Sequence, residues 1–326
     1  MWDVVWGFTD PNAHSNLPFR KVRYLSLSFL YELSTCKVFV TNYRMPAFYR
    51  KRVRQLYIQT WHSSLRLKAI EADASKSVSR HYLEMAQNDS RQISVLLSGC
   101  EKSSEIFRLA FWFSGEILAS GTPRMDLLFT KDKELAFRIR TSLGLSEEER
   151  VVLYAPTFRE HKELDTYRLD FYKLRHSLTQ KWGGSWRILL RLHPHLLNQA
   201  HTFTKNGVSV LDVTSYEDIQ ELLYISDIVI SDYSSLIFDF LVTSRPCFLF
   251  TPDLEEYLEK ERNLYFSLDE LPFPIITNND AIEQVFACFD ENDYREKASR
   301  FLRRVGSYET GHACENVYQA IINHLP

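Results

Sequence analysis

The 326-residue chain lacks the phosphate-binding signatures that glycine usually builds. None of its ten glycines falls in a Gly-x-Gly, which excludes a dinucleotide fingerprint and a kinase glycine loop, and no Gly-Lys-Ser/Thr is present to form a P-loop. Asp-x-Asp is also missing, so no such carboxylate pair is available to hold a cation against a diphosphate. Any diphosphate charge must then be met by helix N-termini, hydroxyls, Arg and His. No run approaches the roughly 18 apolar residues of a membrane span, and the N-terminus, with Asp3, has no cleavable apolar leader. The five cysteines are scattered and odd in number. That argues against a disulfide framework or a zinc site and for reduced core thiols in a cytosolic protein.

What the chain does have is the balance of a globular protein large enough for two domains, with 45% hydrophobic and 25% charged residues. Its net charge of −3 conceals an asymmetry: residues 1–126 carry 17 Lys and Arg against 11 Asp and Glu, and the rest carries 22 against 31. The basic excess gathers at Arg20, Lys21 and Arg23, then at Arg44, Arg50, Lys51, Arg52, Arg54, Arg66 and Lys68. It is either a solvated face or a patch that meets an anionic membrane surface or polyanion.

Short apolar runs alternate with helical patterns, the signature of βαβ units and a parallel sheet. Strands are expected at 3–6, 37–41, 56–61, 93–98 and 116–119, then at 151–155, 186–192, 209–213, 227–231 and 247–251. Helices are expected at 24–35, 75–85, 101–111, 133–142, 170–181, 216–225, 236–242, 254–261, 293–302 and 313–325, with loops at 11–18 and 162–170. The pattern gives two α/β halves.

Reactive residues cluster just past the carboxyl ends of these strands, the edge at which open α/β sheets bind ligands. Asn42, His62, Ser98-Gly99, Ser120–Arg124, Thr157 with Arg159, His193 and Asp232–Ser235 all occupy such positions. The most informative stretch is DIVISDYSSLIFDF, residues 227–240, in which an apolar strand runs through Asp232, Ser234 and Ser235 into a helical pattern. Two hydroxyls at a helix mouth either cap the helix or, with its unpaired N–H groups, hold an anion. Asp232 is awkward beside a phosphate and reads as an organiser. Arg124 and Arg159 either grip phosphate with their forked donors or form ion pairs between the halves. His193 and His195 could pair on a metal, although no clear third ligand is evident.

Four segments, TWHSSLRLK (60–68), SGTPRMD (120–126), APTFRE (155–160) with RLHPH (191–195), and SDYSSLIFDF (231–240), resemble the CDP-glycerol glycerophosphotransferases of teichoic acid and capsule synthesis. The likeness runs from about Trp2 to the end, including Glu309-Thr310-Gly311-His312. It implies a GT-B fold of two Rossmann-like domains, residues 1–128 for the acceptor and 129–305 for the CDP-donor, with 306–326 a helix crossing back. It implies transfer of glycerol phosphate or ribitol phosphate from a CDP-alditol to a polyprenyl-diphosphate-linked or polysaccharide acceptor, releasing CMP. The work would be done at the cytoplasmic membrane face, without metal or other cofactor and without nucleic acid.

By the same resemblance His62 is the general base, and His193 sits beside the donor diphosphate. Ser234, Ser235, Arg159, Thr157, Asp232, Arg124, Glu309 and His312 belong to the donor side, and Lys68 and Ser63 to the acceptor side. Two departures stand out. Ser63 replaces the glycine that normally follows the histidine, and Met125 replaces an asparagine, removing any polar contact there. Two other readings share the architecture: a GT-B glycosyltransferase using a nucleotide-sugar, and a non-catalytic nucleotide-binding subunit of a polysaccharide assembly complex.

Overall fold

The computed structural model describes every residue except 1, 15–16, 77, 160–167, 194–195, 197–202, 204–209, 261–262 and 326. Its elements run β1 (Val5–Phe8), β2 (Arg20–Arg23), α1 (Leu27–Thr35), β3 (Val38–Thr41), β4 (Leu56–Gln59), α2 (Arg80–Ser90), β5 (Val95–Leu97), α3 (Glu101–Ala110) and β6 (Glu116–Leu118). A 3₁₀ segment, Pro123–Phe129, leads to α4 (Lys133–Ser142). Then follow β7 (Arg150–Tyr154), α5 (Phe171–Trp182), β8 (Trp186–Leu190), β9 (Val210–Asp212), α6 (Ile219–Ile225), β10 (Ile228–Ser231), α7 (Leu236–Leu241) and β11 (Cys247–Phe250). The chain ends with α8 (Leu254–Lys260), β12 (Ile275–Ile276), α9 (Ile282–Ala287), α10 (Glu291–Arg304) and α11 (Ala313–His324).

These strands make two main parallel sheets and a separate two-stranded pair, β1 with β2, so the molecule is an α/β protein. The first has the order β3-β4-β5-β6 and the second β12-β11-β10-β7-β8-β9. Both faces of the second are covered, which is why β10 and β11 are buried at every position and read as unbroken apolar runs. Each of Ile228, Val229 and Ile230 is at most 2% exposed, worth about 1.5–3 kcal/mol per side chain. Helix starts follow their capping residues: Asp132 accepts from Leu135 N, Asp170 from Tyr172 N and Asp218 from Gln220 N.

The second sheet reverses its winding between β7 and β10. The chain builds outward through β8 and β9, then returns to lay β10, β11 and β12 on the other side. That switch point opens a crevice at the strands' carboxyl ends. Thr157 and Arg159 follow β7 there, and Asp232, Ser234 and Ser235 follow β10. In the first sheet Asn42, His62, Gly99 and Thr122 follow successive strands at the corresponding edge.

Several sequence expectations are corrected. The first expected strand does not join the main sheet: β1 pairs in parallel with β2, an element hidden by its charged sequence RKVR. The helix expected at 75–85 begins at Arg80, because Glu71–Ala74 forms a 3₁₀ turn and Ser79 caps the helix by accepting from Tyr82 N. Strand β12 and helix α9 were not foreseen; two strand residues give no period to read. All five cysteines are free, but only Cys100 and Cys247 are buried; Cys288 and Cys314 are exposed. Most of the loop expected at 162–170 and the whole of His195 lie outside the described residues.

The last helix returns to the first sheet. Val317 packs with Leu56, Ile58, Val95 and Leu97, and Asp126 accepts from Ala313 N at 2.9 Å and Cys314 N at 2.7 Å at the helix start. No described helix is long and apolar enough to cross a membrane.

Candidate active site

His62 sits on a tight turn leaving β4. Trp61 takes a left-handed backbone conformation (φ 54°) and its N–H donates to Gln59 Oε1 at 2.9 Å, while its ring lies 4.2 Å from the His62 ring. Ser63, where a glycine was expected, does not have positive φ, so its Cβ imposes no left-handed strain; it is buried and its carbonyl accepts from Arg66 Nη2 at 3.1 Å. The His62 side chain is exposed at the crevice, yet the protein crowded around the ring still removes part of its hydration. That partial desolvation, with the positive charges of Arg66 and Arg124, pulls its pKa down to about 4, against a hydrogen bond at the Asn42 backbone. The imidazole is therefore neutral at pH 7, the form a proton acceptor requires.

Next to this turn, Ser64, Gly99, Thr122 and Glu309 meet. Glu309 accepts from Thr122 N at 3.0 Å and Thr122 Oγ1 at 2.8 Å and is hydrogen-bonded to Ser64. Burial nonetheless pushes its carboxyl above the ordinary range. A Cβ on Gly99 would lie 2.5 Å from Glu309 Oε1, so only glycine permits this approach.

Across the crevice, Asp232 is almost fully buried. It accepts from Thr157 N at 2.9 Å, Tyr233 N at 2.6 Å and Arg159 Nη1 at 2.6 Å. Arg159 also donates to Asp253 through Nε at 2.9 Å and Nη2 at 3.1 Å. Its guanidinium is thus spent on two carboxylates and lies 5.0 Å over the Tyr233 ring. Tyr233 stacks on Tyr257 at 3.6 Å, and Lys68 reaches over Tyr257 from the other half, with Nζ 5.6 Å from the ring.

The two halves are fastened at several points. Ser235 Oγ accepts from Leu67 N at 3.2 Å. Ala69 N donates to Asn263 O at 2.8 Å and Tyr265 N to Leu67 O at 2.7 Å. Arg124 forms an ion pair with the buried Asp239, which also accepts from Gln220 Nε2 at 3.1 Å. Ser234 Oγ accepts from Leu236 N at 3.3 Å, the first N–H of α7, while Ser235, at the N-cap position, turns its hydroxyl to the other half. Among the described residues no group of three or more His, Cys, Asp and Glu is placed to hold a metal ion.

Known proteins resemble this chain over nearly its whole length. The profile of the CDP-Glycerol:Poly(glycerophosphate) glycerophosphotransferase family matches residues 2–323. The chain belongs to this family. It is 29% identical to the teichoic acid poly(glycerol phosphate) polymerase of Bacillus subtilis (strain 168) over 98% of this chain and 44% of that protein. It is 31% identical to the teichoic acid glycerol-phosphate transferase of Staphylococcus aureus (strain NCTC 8325 / PS 47), covering 98% of this chain and 84% of the relative. A solved structure of the wall teichoic acid polymerase TagF superposes with a TM-score of 0.84 at 32% identity, over 98% of this chain and 80% of that one. The chain thus spans a little under half the length of the first two curated polymerases it matches.

Within this glycerophosphotransferase frame, the structure groups His62, Ser63, Thr122, Arg124 and Glu309 on the first sheet's edge, and Thr157, Arg159, Asp232, Ser234 and Ser235 on the second's. Glu309 faces Thr122 and Ser64 of the first sheet. His312 stands exposed, 3.7 Å from Glu315. His193 is exposed past β8 with its ring 5.3 Å from Phe158. Met125 is fully buried in the apolar core. Asp253, Tyr257 and the burial of Arg66 were not foreseen from the sequence. Asp253 was accessible to the strand-end rule, lying three residues past β11; Arg66 was legible only as a charge in a run that the fold buries.

Proposed function

We propose that the chain is a CDP-alditol-dependent phosphotransferase of GT-B architecture. It moves glycerol phosphate or ribitol phosphate from CDP-glycerol or CDP-ribitol to a hydroxyl of a lipid-linked teichoic acid or capsular polysaccharide. Residues 1–128 carry the acceptor, 129–305 the donor, and 306–326 return to the first half. The observation that carries the reading is the meeting of two strand-end loops: the His62 turn and the Ser234–Ser235 helix start, joined by the Leu67–Ser235 hydrogen bond. The names of relatives that act on glycerol phosphate and ribitol phosphate support the donor class, as does a TagF variant soaked with CDPG.

In this mechanism the acceptor oxygen attacks the β-phosphorus and gives its proton to His62, while the bond from that phosphorus to the bridging oxygen breaks and CMP leaves. His193 stands at the leaving oxygen and offsets its charge. Ser234, Ser235 and Thr157 hold the diphosphate at the switch point. Asp232 and Arg159, tied to each other, fix the backbone that presents those groups, and Arg124 borders the site from its pair with Asp239. Lys68 and Ser63 face the acceptor path; Glu309, beside Thr122 and Ser64, and the exposed His312 serve the donor side. Rate enhancement comes from positioning and charge stabilisation.

The enzyme works peripherally on the inner face of the cell membrane. Val53 is 99% exposed between the exposed Arg52 and Arg54, and Leu27 is 86% exposed on α1, whose C-terminal carbonyl at Cys36 accepts from Arg52 at 2.7 Å. Apolar tips ringed by arginine suit an anionic lipid surface.

The test is CMP release by the purified protein with a glycerol-phosphate-bearing lipid acceptor and a panel of CDP-glycerol, CDP-ribitol and CDP-sugars. Release from a CDP-alditol is expected. Release from a CDP-sugar alone, or from none of them, overturns the reading.

A further inference from the structure

Arg66 is the most anomalous charge in the fold. It is 2% exposed, and no carboxylate pairs with it among the described residues. Its Nη2 donates to Ser63 O at 3.1 Å, and its guanidinium lies 4.2 Å over the Phe107 ring. Its Nε and Nη1 are buried without hydrogen-bond partners. A buried cation with one hydrogen bond and one aromatic face is poorly compensated for the hydration it has lost. An apolar side chain of similar volume would suit the site better if stability alone mattered.

The Arg66 charge also reaches Cys100 and Tyr265, but its hydrogen bond is to the turn that carries His62. Arg66 grips the carbonyl immediately after His62, and its field reaches the imidazole. We propose that Arg66 is a positioning residue for the transfer reaction: it fixes the His62–Ser63 turn and sets a positive charge beside the imidazole. This rests on His62 acting as the base. The groups facing His62 are Arg66 from its own loop, Arg124 from the Pro123–Phe129 segment, the Asn42 backbone past β3 and the Trp61 ring. Both charged neighbours are cations, so both oppose a proton on the ring. A bound diphosphate brings negative charge that offsets them, and the base gains strength only when the donor has arrived.

The test compares Arg66→Met with Arg66→Lys in three readouts: thermal midpoint, CMP release, and the NMR titration of the His62 ring. Arg66→Met is expected to keep or raise the thermal midpoint, to lower kcat by about 10-fold or more as a lost preorganised charge does, and to move the His62 titration up toward the ordinary imidazole value. Arg66→Lys retains the charge but not the fork, so it keeps the low titration and still loses kcat. An unmoved His62 titration in a folded Arg66→Met protein overturns the proposal. Should that variant not fold, Arg66→Lys with unchanged kcat overturns it instead. The titration needs no turnover, so a wild-type protein that releases no CMP would sink the phosphotransferase reading and leave the effect of Arg66 on the ring measurable.

Discussion

The hydroxyl of Ser235 accepts a hydrogen bond from the backbone N–H of Leu67 at 3.2 Å, joining the start of a helix in one half to a loop five residues past His62 in the other. A hydroxyl at the mouth of α7 is thus not idle before a donor binds: it holds the two edges of the crevice together. Its own proton remains to be donated, so on the proposed reading the same hydroxyl can bond a phosphate oxygen of the donor while it accepts from Leu67.

Replacing Ser235 with alanine removes both roles. A neutral hydrogen bond is worth about 0.5–1.5 kcal/mol net, so kcat/KM for the CDP-alditol is expected to fall by up to about 10-fold. Most of that loss appears in KM, measured by steady-state CMP release. An unchanged KM would remove Ser235 from the donor site.

The base itself has a larger effect. His62→Ala is expected to cost about 10²–10⁴ in kcat, and retention of more than a tenth of wild-type turnover would dismiss His62 as the base.

The pH dependence follows from the depressed His62 pKa. With the folded value near 4 and the unfolded value at the ordinary imidazole position, the unfolded chain binds the extra proton between them. This group therefore costs stability as pH falls from about 6.5 toward 4, and the cost is absent at neutral pH. In the same window the ring stays unprotonated in the free enzyme, so the acidic limb of kcat/KM is expected below the ordinary imidazole range. A limb centred near 6.5 would contradict the packing around the ring.

Arg124, its side chain 33% exposed, forms an ion pair between the halves with Asp239, which is fully inaccessible. Arg124→Ala strands that carboxylate and is expected to destabilise the fold by about 3 kcal/mol in chemical denaturation. Adding Asp239→Asn restores most of the loss. A double variant no more stable than the single one would show that the pair is not the source.

Membrane contact is expected to depend on the loop around Val53. Reversing Arg52 and Arg54 to glutamate weakens binding to phosphatidylserine-containing vesicles by at least about 10-fold, since each basic residue near such a surface contributes about 1 kcal/mol. The effect shrinks as salt is raised. Equal binding by both proteins would place the membrane face elsewhere.

Much of the scaffold was legible because the second sheet is buried on both faces. The inner runs of its strands, VVLY in Arg150–Tyr154 and IVI in Ile228–Ser231, must then be continuously apolar, and the polar residues that follow each run mark the ligand edge. Periodicity and an aspartate cap likewise located α4 (Lys133–Ser142). The strand Arg20–Arg23 escaped because an exposed two-stranded pair needs no apolar pattern. The α2 start was misplaced because Ser75 and Ser79 are both acceptable caps, and the preceding 3₁₀ turn decides between them.

The sequence by itself determined the α/β class, the order of the motifs and the residue types at each strand end, because these depend on local periodicity and on chain order. Only the tertiary structure decided how each polar group is used. Arg159 could have gripped phosphate, but Asp232 and Asp253 from two other loops close on its guanidinium. Arg124 could have done the same, but Asp239 meets it across the crevice. Ser234 and Ser235 look equivalent in sequence; one bonds the first N–H of the helix and the other spans the halves. A side chain's hydrogen bonds are fixed by neighbours far away along the chain, and no local pattern carries that information.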